Sequence, residues 1–322
     1  VPPEEPTPQG YYRDLLAEPS LAQQVQIEKR IRFFGDLFEL AKRDPHGASV
    51  LEAGSGFGLG LILLAAFGAA TVRGVEIVPW MVEYARQCIA ELPPGLRSRV
   101  EAVPGSVDQL PYPDASFDIV LSIEAISHYL DYRPFLGEAR RVLRPGGVLI
   151  VSDKNNGLNP FIRWQTWKDW ASHEVDPERS KGYGSGSPWL FVNKRQEIIQ
   201  TSFPETSSSE AHQLAMRTSG MVRDEVIEAV RAYLETNVLP TSVYRRGQLS
   251  VHPDHEMVME RLFNPYQLAR EIRNHGFRVK VRGHWAGASG KPAHRAVDRV
   301  LRAFSPLTIV TARGFRIVAY SS

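Results

Sequence analysis

From Ser49 onward, short apolar runs alternate with segments whose apolar residues recur at helical spacing. The runs Ser49 to Ala53, Thr71 to Val75, Val100 to Pro104, Phe117 to Ile123 and Gly147 to Ser152 have the length and composition of strands. Between the last two, Pro134 to Leu143 carries a helical apolar face, followed by an Arg144-Pro145-Gly146-Gly147 turn. Strand–helix units with strands this apolar predict a parallel sheet covered on both faces. Upstream, Ser20 with Gln23 forms a capping box, and Leu21, Val25, Ile31, Phe34, Leu37 and Ala41 follow at helical spacing up to the Asp44-Pro45 break. Pro2, Pro3, Pro6, Pro8 and Pro19 make the first stretch an extended arm.

The alternation stops at Asn156. Residues 157–263 hold only irregular or helical signals, with Met221 to Leu239 the clearest helix. It resumes where Asn264 caps a helix, Pro265 opens it, Leu268 and Ile272 make its face, and Gly276 ends it. Phe277 to Trp285 and Thr308 to Tyr320 are strand material, the latter a hairpin around Arg313-Gly314 or a single strand. The expected fold is α/β: a doubly wound, mostly parallel, seven-stranded Rossmann-like sheet with an inserted, mainly helical cap. Its expected divisions are an arm and helix (1–48), an α/β core (49–156), the cap (157–263) and the completion of the core (264–322).

Composition narrows the class. With 43% apolar and 23% charged residues, the chain reads as soluble and globular. Its longest apolar run, Leu61 to Phe67, falls far short of the roughly 20 residues a bilayer span needs. No basic segment followed by an apolar one opens the chain, so a cytoplasmic protein is the expectation. A single cysteine, Cys88, excludes an intramolecular disulfide and a cysteine metal cage. The net charge is only +2, yet twelve Lys/Arg lie between Arg261 and Arg316 against Glu271 and Asp298. That segregation suits an anionic substrate, an anionic lipid surface or an acidic partner face, or is a solvated basic face.

The sharpest chemical signal is Val50-Leu51-Glu52-Ala53-Gly54-Ser55-Gly56-Phe57-Gly58-Leu59-Gly60, at a strand end and leading into a helix. Such glycines let backbone approach a ligand closely. The run is not the dinucleotide fingerprint, since Leu59 stands where Gly or Ala is expected. Glu52 would repel a pyrophosphate and suits a ligand with a cationic end. Glu76 ends the next strand, where a carboxylate can accept hydrogen bonds from both hydroxyls of a ribose.

A third stretch, Gly105-Ser106-Val107-Asp108-Gln109-Leu110-Pro111-Tyr112-Pro113-Asp114-Ala115-Ser116-Phe117-Asp118, precedes Leu143-Arg144-Pro145-Gly146-Gly147. Together with Glu52, the glycine loop and Glu76, this order resembles the class I S-adenosylmethionine-dependent methyltransferases. The likeness is closest to the small-molecule branch of ubiquinone/menaquinone-type and sterol or sugar enzymes. It covers about residues 49–155, with weaker support over 264–320. It implies that Glu52 and Gly54, Ser55, Gly56 and Gly58 hold the methionine part of S-adenosylmethionine, Glu76 the ribose, and Ile77 and Met81 flank the adenine. Where the family commonly has an Asp for the adenine amino group, this chain has Ser106, with the Val107 amide and Asp108 as substitutes. Ser122 and Ile123 would offer backbone carbonyls to the cofactor ammonium.

The implied chemistry is methyl transfer to O, N or C of a small-molecule acceptor, leaving S-adenosyl-L-homocysteine. His128 is the candidate base for a hydroxyl acceptor, or else lines the pocket or orients a loop. Trp164, Trp167 and Trp170 recur every third residue and would cluster on one helical side, with Trp189 nearby, as an acceptor surface or as the cap's own core. Tyr12 and Tyr183 are further acceptor candidates, the latter in a glycine-rich stretch that reads as a lid. His252-Pro253-Asp254-His255-Glu256 matches no helical zinc motif, and Asp153, Asn155 and Asn156 read as pocket polar groups, so no metal is expected. No nucleic-acid partner is expected: the Asn/Asp-Pro-Pro-Tyr signature of enzymes acting on DNA adenine is absent, while a homo-oligomer stays open. The competing readings are a lyase or cyclase that binds the same cofactor without methyl transfer, and a non-catalytic interaction module.

Overall fold

The computed structural model describes residues 21–153, 157–174, 191–245, 247–254, 257–285, 300–301 and 303–321. These residues fall into two compact units, one of Ser127–Leu130 with 160–262, the other of the remainder.

The larger unit is built on a seven-stranded sheet of β1 (Ser49–Ala53), β2 (Thr71–Glu76), β3 (Val100–Pro104), β4 (Phe117–Ile123), β5 (Leu143–Asp153), β6 (Phe277–His284) and β7 (Gly314–Ser321). The order is β3-β2-β1-β4-β5-β7-β6. β1 to β5 run parallel, and β7 lies antiparallel between β5 and β6. Chain direction across the sheet reverses between β1 and β4, and ligands of open α/β sheets bind outside the carboxyl ends of strands at such a point.

One face is covered by α1 (Leu21–Ala41), α2 (Leu59–Ala66) and α3 (Pro79–Ala90). Phe34, Leu37 and Phe38 of α1, Leu61 and Leu64 of α2, and Val82, Ala85 and Ile89 of α3 bury against Val50, Ile119, Leu121, Val148 and Ile150. Of the stripe its spacing predicts, Phe34, Leu37 and Ala41 are buried, Ile31 is 41% exposed, and the side chains of Leu21 and Val25 lie outside the described residues. α4 (Arg133–Val142) packs on β5, and α9, described below, on β6 and β7.

Two boundaries depart from the sequence pattern. β5 begins at Leu143 rather than 147, and the Arg144–Gly147 turn survives as a jump in pairing from Phe117↔Leu143 to Ile119↔Val148. Thr308 to Thr311 is not strand. A helix at Ser305–Thr308 and a 3-10 turn at Ile309–Thr311 precede β7, which is a single strand rather than a hairpin. Its β-branched residues favour strand locally, but Ser305 Oγ accepts from the Gly283 amide (2.8 Å) and Ile309 is buried, so packing overrides propensity.

The 160–262 unit carries α5 (Pro160–Glu174), α6 (Phe191–Ser202), α7 (Ser208–Arg217) and α8 (Arg223–Thr236). α8 is shorter than its apolar pattern because Asn237 turns left-handed (φ 56°) and closes it. Two isolated bridges, Tyr129↔Met257 and Val251↔Val258, add extended pairing that the sequence did not show. Back in the larger unit, the Gly157 amide donates to the Phe263 carbonyl (2.6 Å), joining the segments that flank the insertion. α9 (Pro265–Asn274) starts as expected, with the Asn264 side chain accepting from the Tyr266 and Gln267 amides.

Val192, Ile198, Ile199, Leu214, Val226 and Val230 form the smaller unit's core. Beside it Glu174 and Arg195 are fully buried and paired at 2.8 Å. Arg195 also donates to the Glu174 and Ala215 carbonyls (both 2.9 Å). The carboxylate further accepts from Ser219 Oγ, the Gly220 amide and Ser250 Oγ at 2.5–3.1 Å. Removing one partner of such a pair strands a buried charge. Glu174→Ala is expected to cost about 3–5 kcal/mol in urea unfolding, whereas Glu197→Ala, an exposed partner of Lys194, is expected to change stability by less than about 1 kcal/mol.

Candidate functional site

β1 places Glu52 on the α1–α3 face, paired with Leu121 of β4 and in phase with the apolar Val50. It is buried, and its Oε2 has no hydrogen-bond partner among the described residues. A Cβ at Gly60, in the first turn of α2, would overlap this carboxylate and require the Glu52 side chain to shift. Burial pushes the Glu52 carboxyl up to about 7, the Arg30 guanidinium pulling it down and Glu76 adding to the rise.

After β1 the chain turns through Gly54, Gly56 and Gly58, all at positive φ (74°, 50° and 81°). At Gly58 a Cβ would also meet Ala85 of α3 at 2.8 Å. The Gly54 and Ser55 amides donate to the Val75 carbonyl (2.8 and 3.1 Å), and Ser55 Oγ is buried without a partner among the described residues.

Glu76, buried at the end of β2, holds the neighbouring loops. Its Oε2 accepts from the Gly56 amide (2.9 Å), its Oε1 from the Val78 amide (3.0 Å), and its carbonyl from the Gly105 amide (3.0 Å). Each carboxylate oxygen has a second acceptor site, so capacity for two further donors remains. Ile77 is 36% exposed and Met81 half-buried, at the start of α3. Ser106 Oγ accepts from the Asp108 amide (3.2 Å), Val107 is buried, and Asp108 is exposed. Ser122 and Ile123 end β4, both buried, paired with Val151 and Ser152 of β5. Glu124 follows at φ 52°, unusual for a residue with a side chain, its amide on the Ser152 carbonyl (2.7 Å).

The fold therefore brings Glu52, the glycine loop, Glu76, Ile77, Met81, Ser106, Val107, Asp108, Ser122 and Ile123 to the carboxyl ends of β1 to β4. Three further residues shape this edge. Arg30 of α1 lies 3.5 Å from Glu124 and stacks over Phe33 and Phe34 (5.2 and 5.6 Å). A cation on the apolar stripe of a helix was its one sequence signal. Phe57 packs on Trp80 and Tyr84 (5.4 and 5.7 Å) beside the glycine loop. Arg141 of α4 donates to the Leu110 and Tyr112 carbonyls and pairs with Asp114 and Glu138, which pins the Leu110–Asp114 stretch.

His128 belongs to the 160–262 unit. Its Nδ1 lies 3.2 Å from the Val258 carbonyl and 3.4 Å from the Glu260 amide, and its own carbonyl accepts from the Val258 amide (2.9 Å). The two contacts ask opposite roles of Nδ1, which would donate to the carbonyl and accept from the amide. The three tryptophans do not share one side. Trp170 is buried and donates to the Met259 carbonyl (2.6 Å), while Trp164 and Trp167 are 50% and 40% exposed. Steps of three residues advance each position by about 60° backwards, so three of them span about 120° of the helix. Lys168 covers Trp164 (4.6 Å) and Arg163 covers Trp167 (5.6 Å). Tyr12, Tyr183, Trp189, Asn155, Asn156, His255 and Glu256 lie outside the described residues. His252 is buried against Phe191 (5.0 Å), Asp254 pairs with Arg223, and Asp153 is buried at the end of β5. Among the described residues no three His, Cys, Asp or Glu gather as metal ligands.

Comparison with known proteins points the same way. Residues 51–151 match the family described as methyltransferase domain. The chain is 34% identical over 222 residues to a 2-methyl-6-phytyl-1,4-hydroquinone methyltransferase of Synechocystis, covering 68% of this chain and 60% of that protein. It is 38% identical to a fatty-acid O-methyltransferase of Mycolicibacterium smegmatis over 35% of this chain and 39% of the other. It is 33% identical to a dimethylglycine N-methyltransferase of Parasynechococcus marenigrum, covering 51% and 59%. The chain thus spans 39–60% of the length of these relatives.

The Glu52 environment has a measurable consequence without any ligand. Its carboxyl sits at about 7 in the folded protein against an ordinary 4.5, so it favours folding fully below 4.5 and loses that contribution as pH rises through 7. Glu52→Gln, which cannot ionise, is expected to melt above the parent at about pH 8, with the gap shrinking as pH falls toward about 5. Thermal denaturation across that range tests it; a gap independent of pH would remove the buried-carboxylate account.

Proposed function

We propose that the chain is a class I S-adenosylmethionine-dependent methyltransferase that moves a methyl group to O, N or C of a small-molecule acceptor, a reading supported by the match of residues 51–151 to the methyltransferase domain family. The observation that carries the proposal is the pair of buried carboxylates, Glu52 and Glu76, at adjacent strand ends around one glycine loop. A sulfonium-bearing amino acid joined to a nucleoside presents a cation and a ribose, the two groups such a pair suits. When bound, the cofactor would supply an electrophilic methyl on sulfur for transfer to the acceptor.

In this reading Glu52, with Gly54, Ser55, Gly56 and Gly58, holds the methionine part. The orphaned Glu52 Oε2 and Ser55 Oγ support it, because buried polar atoms without partners mark unfilled hydrogen-bond positions. Glu76 takes the ribose hydroxyls with its remaining acceptor capacity while its backbone-facing lone pairs fix the loop. Ile77 and Met81 flank the adenine; Ser106, the Val107 amide and Asp108 line its edge; Ser122 and Ile123 offer carbonyls. His128, whose ring lies against the Val258 carbonyl, serves a hydroxyl acceptor as base. Trp164 and Trp167, exposed rather than core, are acceptor-side candidates. The quinol and fatty acid named for two relatives favour a partly apolar acceptor. Among the described residues no helix is long and apolar enough to cross a membrane.

Calorimetric titration with S-adenosylmethionine, with NAD as control, is the direct test: binding of the first alone is expected. Glu76→Ala is expected to lose that binding by at least about 100-fold, two hydrogen bonds to a charged acceptor being worth about 1.5–3 kcal/mol each. An unchanged affinity would refute the ribose assignment. For an acceptor that must lose a proton, His128→Gln is expected to lower kcat by about 10²–10⁴ with cofactor affinity unchanged; a kcat within twofold of the parent, on the order of no effect on this scale, would leave His128 only its tether to Val258.

A further inference from the structure

Residues 257–261 of the smaller unit form a short segment whose backbone is fastened on two sides. Toward Ser127–Leu130, Met257 bridges Tyr129, the Val258 amide donates to the His128 carbonyl (2.9 Å), and the Arg261 amide donates to the Ser127 carbonyl (2.6 Å). Arg261 Nη2 adds a bond to the Leu130 carbonyl (2.8 Å). On the other side Val258 bridges Val251, and the Met259 amide donates to the Ser250 carbonyl (2.8 Å). The buried Trp170 indole of α5 holds the Met259 carbonyl (2.6 Å). Within this segment Glu260 sits at φ 41°, a left-handed value that a residue with a side chain adopts at a cost. Such strain persists where surrounding contacts over-determine the backbone, as these do.

The turn brings two groups of opposite character to one ring nitrogen. The Val258 carbonyl lies 3.2 Å and the Glu260 amide 3.4 Å from His128 Nδ1. When Nδ1 carries a proton it donates to the carbonyl; when it does not, it accepts from the amide. The Glu260 amide belongs to the same peptide unit as the Met259 carbonyl, and a trans peptide points the two groups in opposite directions. By holding that carbonyl, Trp170 therefore fixes where the Glu260 amide points and polarises it as a donor. We propose that the Val258–Glu260 turn is a two-way seat in which the neutral His128 ring carries its proton on either nitrogen without moving, with Trp170 and Glu260 as positioning residues. Its catalytic use rests on the reading of His128 as base; the seat itself does not. With the proton on Nδ1, Nε2 takes the proton of an acceptor hydroxyl, and the resulting imidazolium keeps the Val258 carbonyl as partner. With the proton on Nε2, the ring donates a hydrogen bond to that hydroxyl's oxygen. A hydroxyl suits both states because it donates and accepts.

Nitrogen NMR of the full chain carrying isotope-labelled histidine reads the tautomer ratio of His128, assigned by its loss in His128→Gln, without cofactor or acceptor. At a pH where the ring is neutral, the two tautomers are expected within about tenfold of each other, as two hydrogen bonds of similar worth allow. Trp170→Phe keeps an aromatic core residue and removes the indole donor; it is expected to move the ratio about twofold to tenfold toward the Nδ1-protonated form. Glu260→Gly and Glu260→Val lose the same carboxylate, but glycine keeps the positive φ and valine resists it. Glu260→Gly is expected to hold the parent's ratio and Glu260→Val to shift it as Trp170→Phe does. If Glu260→Val fails to fold, the parent and Trp170→Phe still decide. A parent ratio beyond about tenfold, or a ratio that Trp170→Phe leaves unchanged, would overturn the seat. The turnover of His128→Gln decides the base role separately, so either result is readable if the other fails.

Discussion

The carboxyl edge of the sheet depends on how the Glu76 carboxylate divides its two oxygens. One accepts the Gly56 amide and the other the Val78 amide, so a single side chain sets the glycine loop after β1 and the start of α3. Without it, two amides in a partly or fully buried setting would lack partners, at about 1–3 kcal/mol each. The carbonyl of the same residue receives the Gly105 amide and ties in the loop after β3. Three loops at the carboxyl edge thus share one anchor, and the acid proposed to meet the ribose also fixes the loops beside it.

Two other buried glutamates show how environment separates structure from chemistry. Glu174 is surrounded by donors: Arg195, two serine hydroxyls and a backbone amide. Glu52 is equally hidden from water, yet one of its oxygens has no partner among the described residues, and its carboxyl is pushed up to about 7. A fully paired buried charge rigidifies; an unpaired one is an energetic cost that a fold tolerates where a ligand completes the set. Gly60 belongs to that arrangement, because a Cβ there would displace the Glu52 carboxylate from its present position. Arg30, reaching from α1, supplies the positive charge that keeps the acid from rising further.

The stretch ahead of β7 illustrates a different constraint. Thr308, Ile309, Val310 and Thr311 favour extended backbone by their β-branching, yet they form helical turns. What decides is the inner contact: Ser305 held to Gly283, Ile309 buried, and Arg313 held to His284. Satisfying those contacts turns Phe304, Leu307 and Val310 outward. Local preference lost to packing.

By itself the sequence determined the alternation that builds the sheet, the phase of α1, the cap and stop of α9, and the identity of the acids and glycines at the carboxyl edge. These are legible because strand and helix periodicity, caps and positive-φ glycines are written within a few neighbouring residues. It also marked Glu52 and Glu76 as belonging together through the loop between them. Only the tertiary structure decided what those acids face: that Glu76 accepts two amides, that Glu52 lies against Gly60 with an oxygen unpaired, and that Arg30 stands near it from a helix more than 20 positions earlier. It also decided that Trp170 is core while Trp164 and Trp167 are surface, that His128 lies with Nδ1 near the Val258 carbonyl, and that Arg141 holds the Leu110–Asp114 stretch. Each of these joins residues distant in sequence through burial and hydrogen-bond pairing, and such long-range partners leave no periodic trace along the chain.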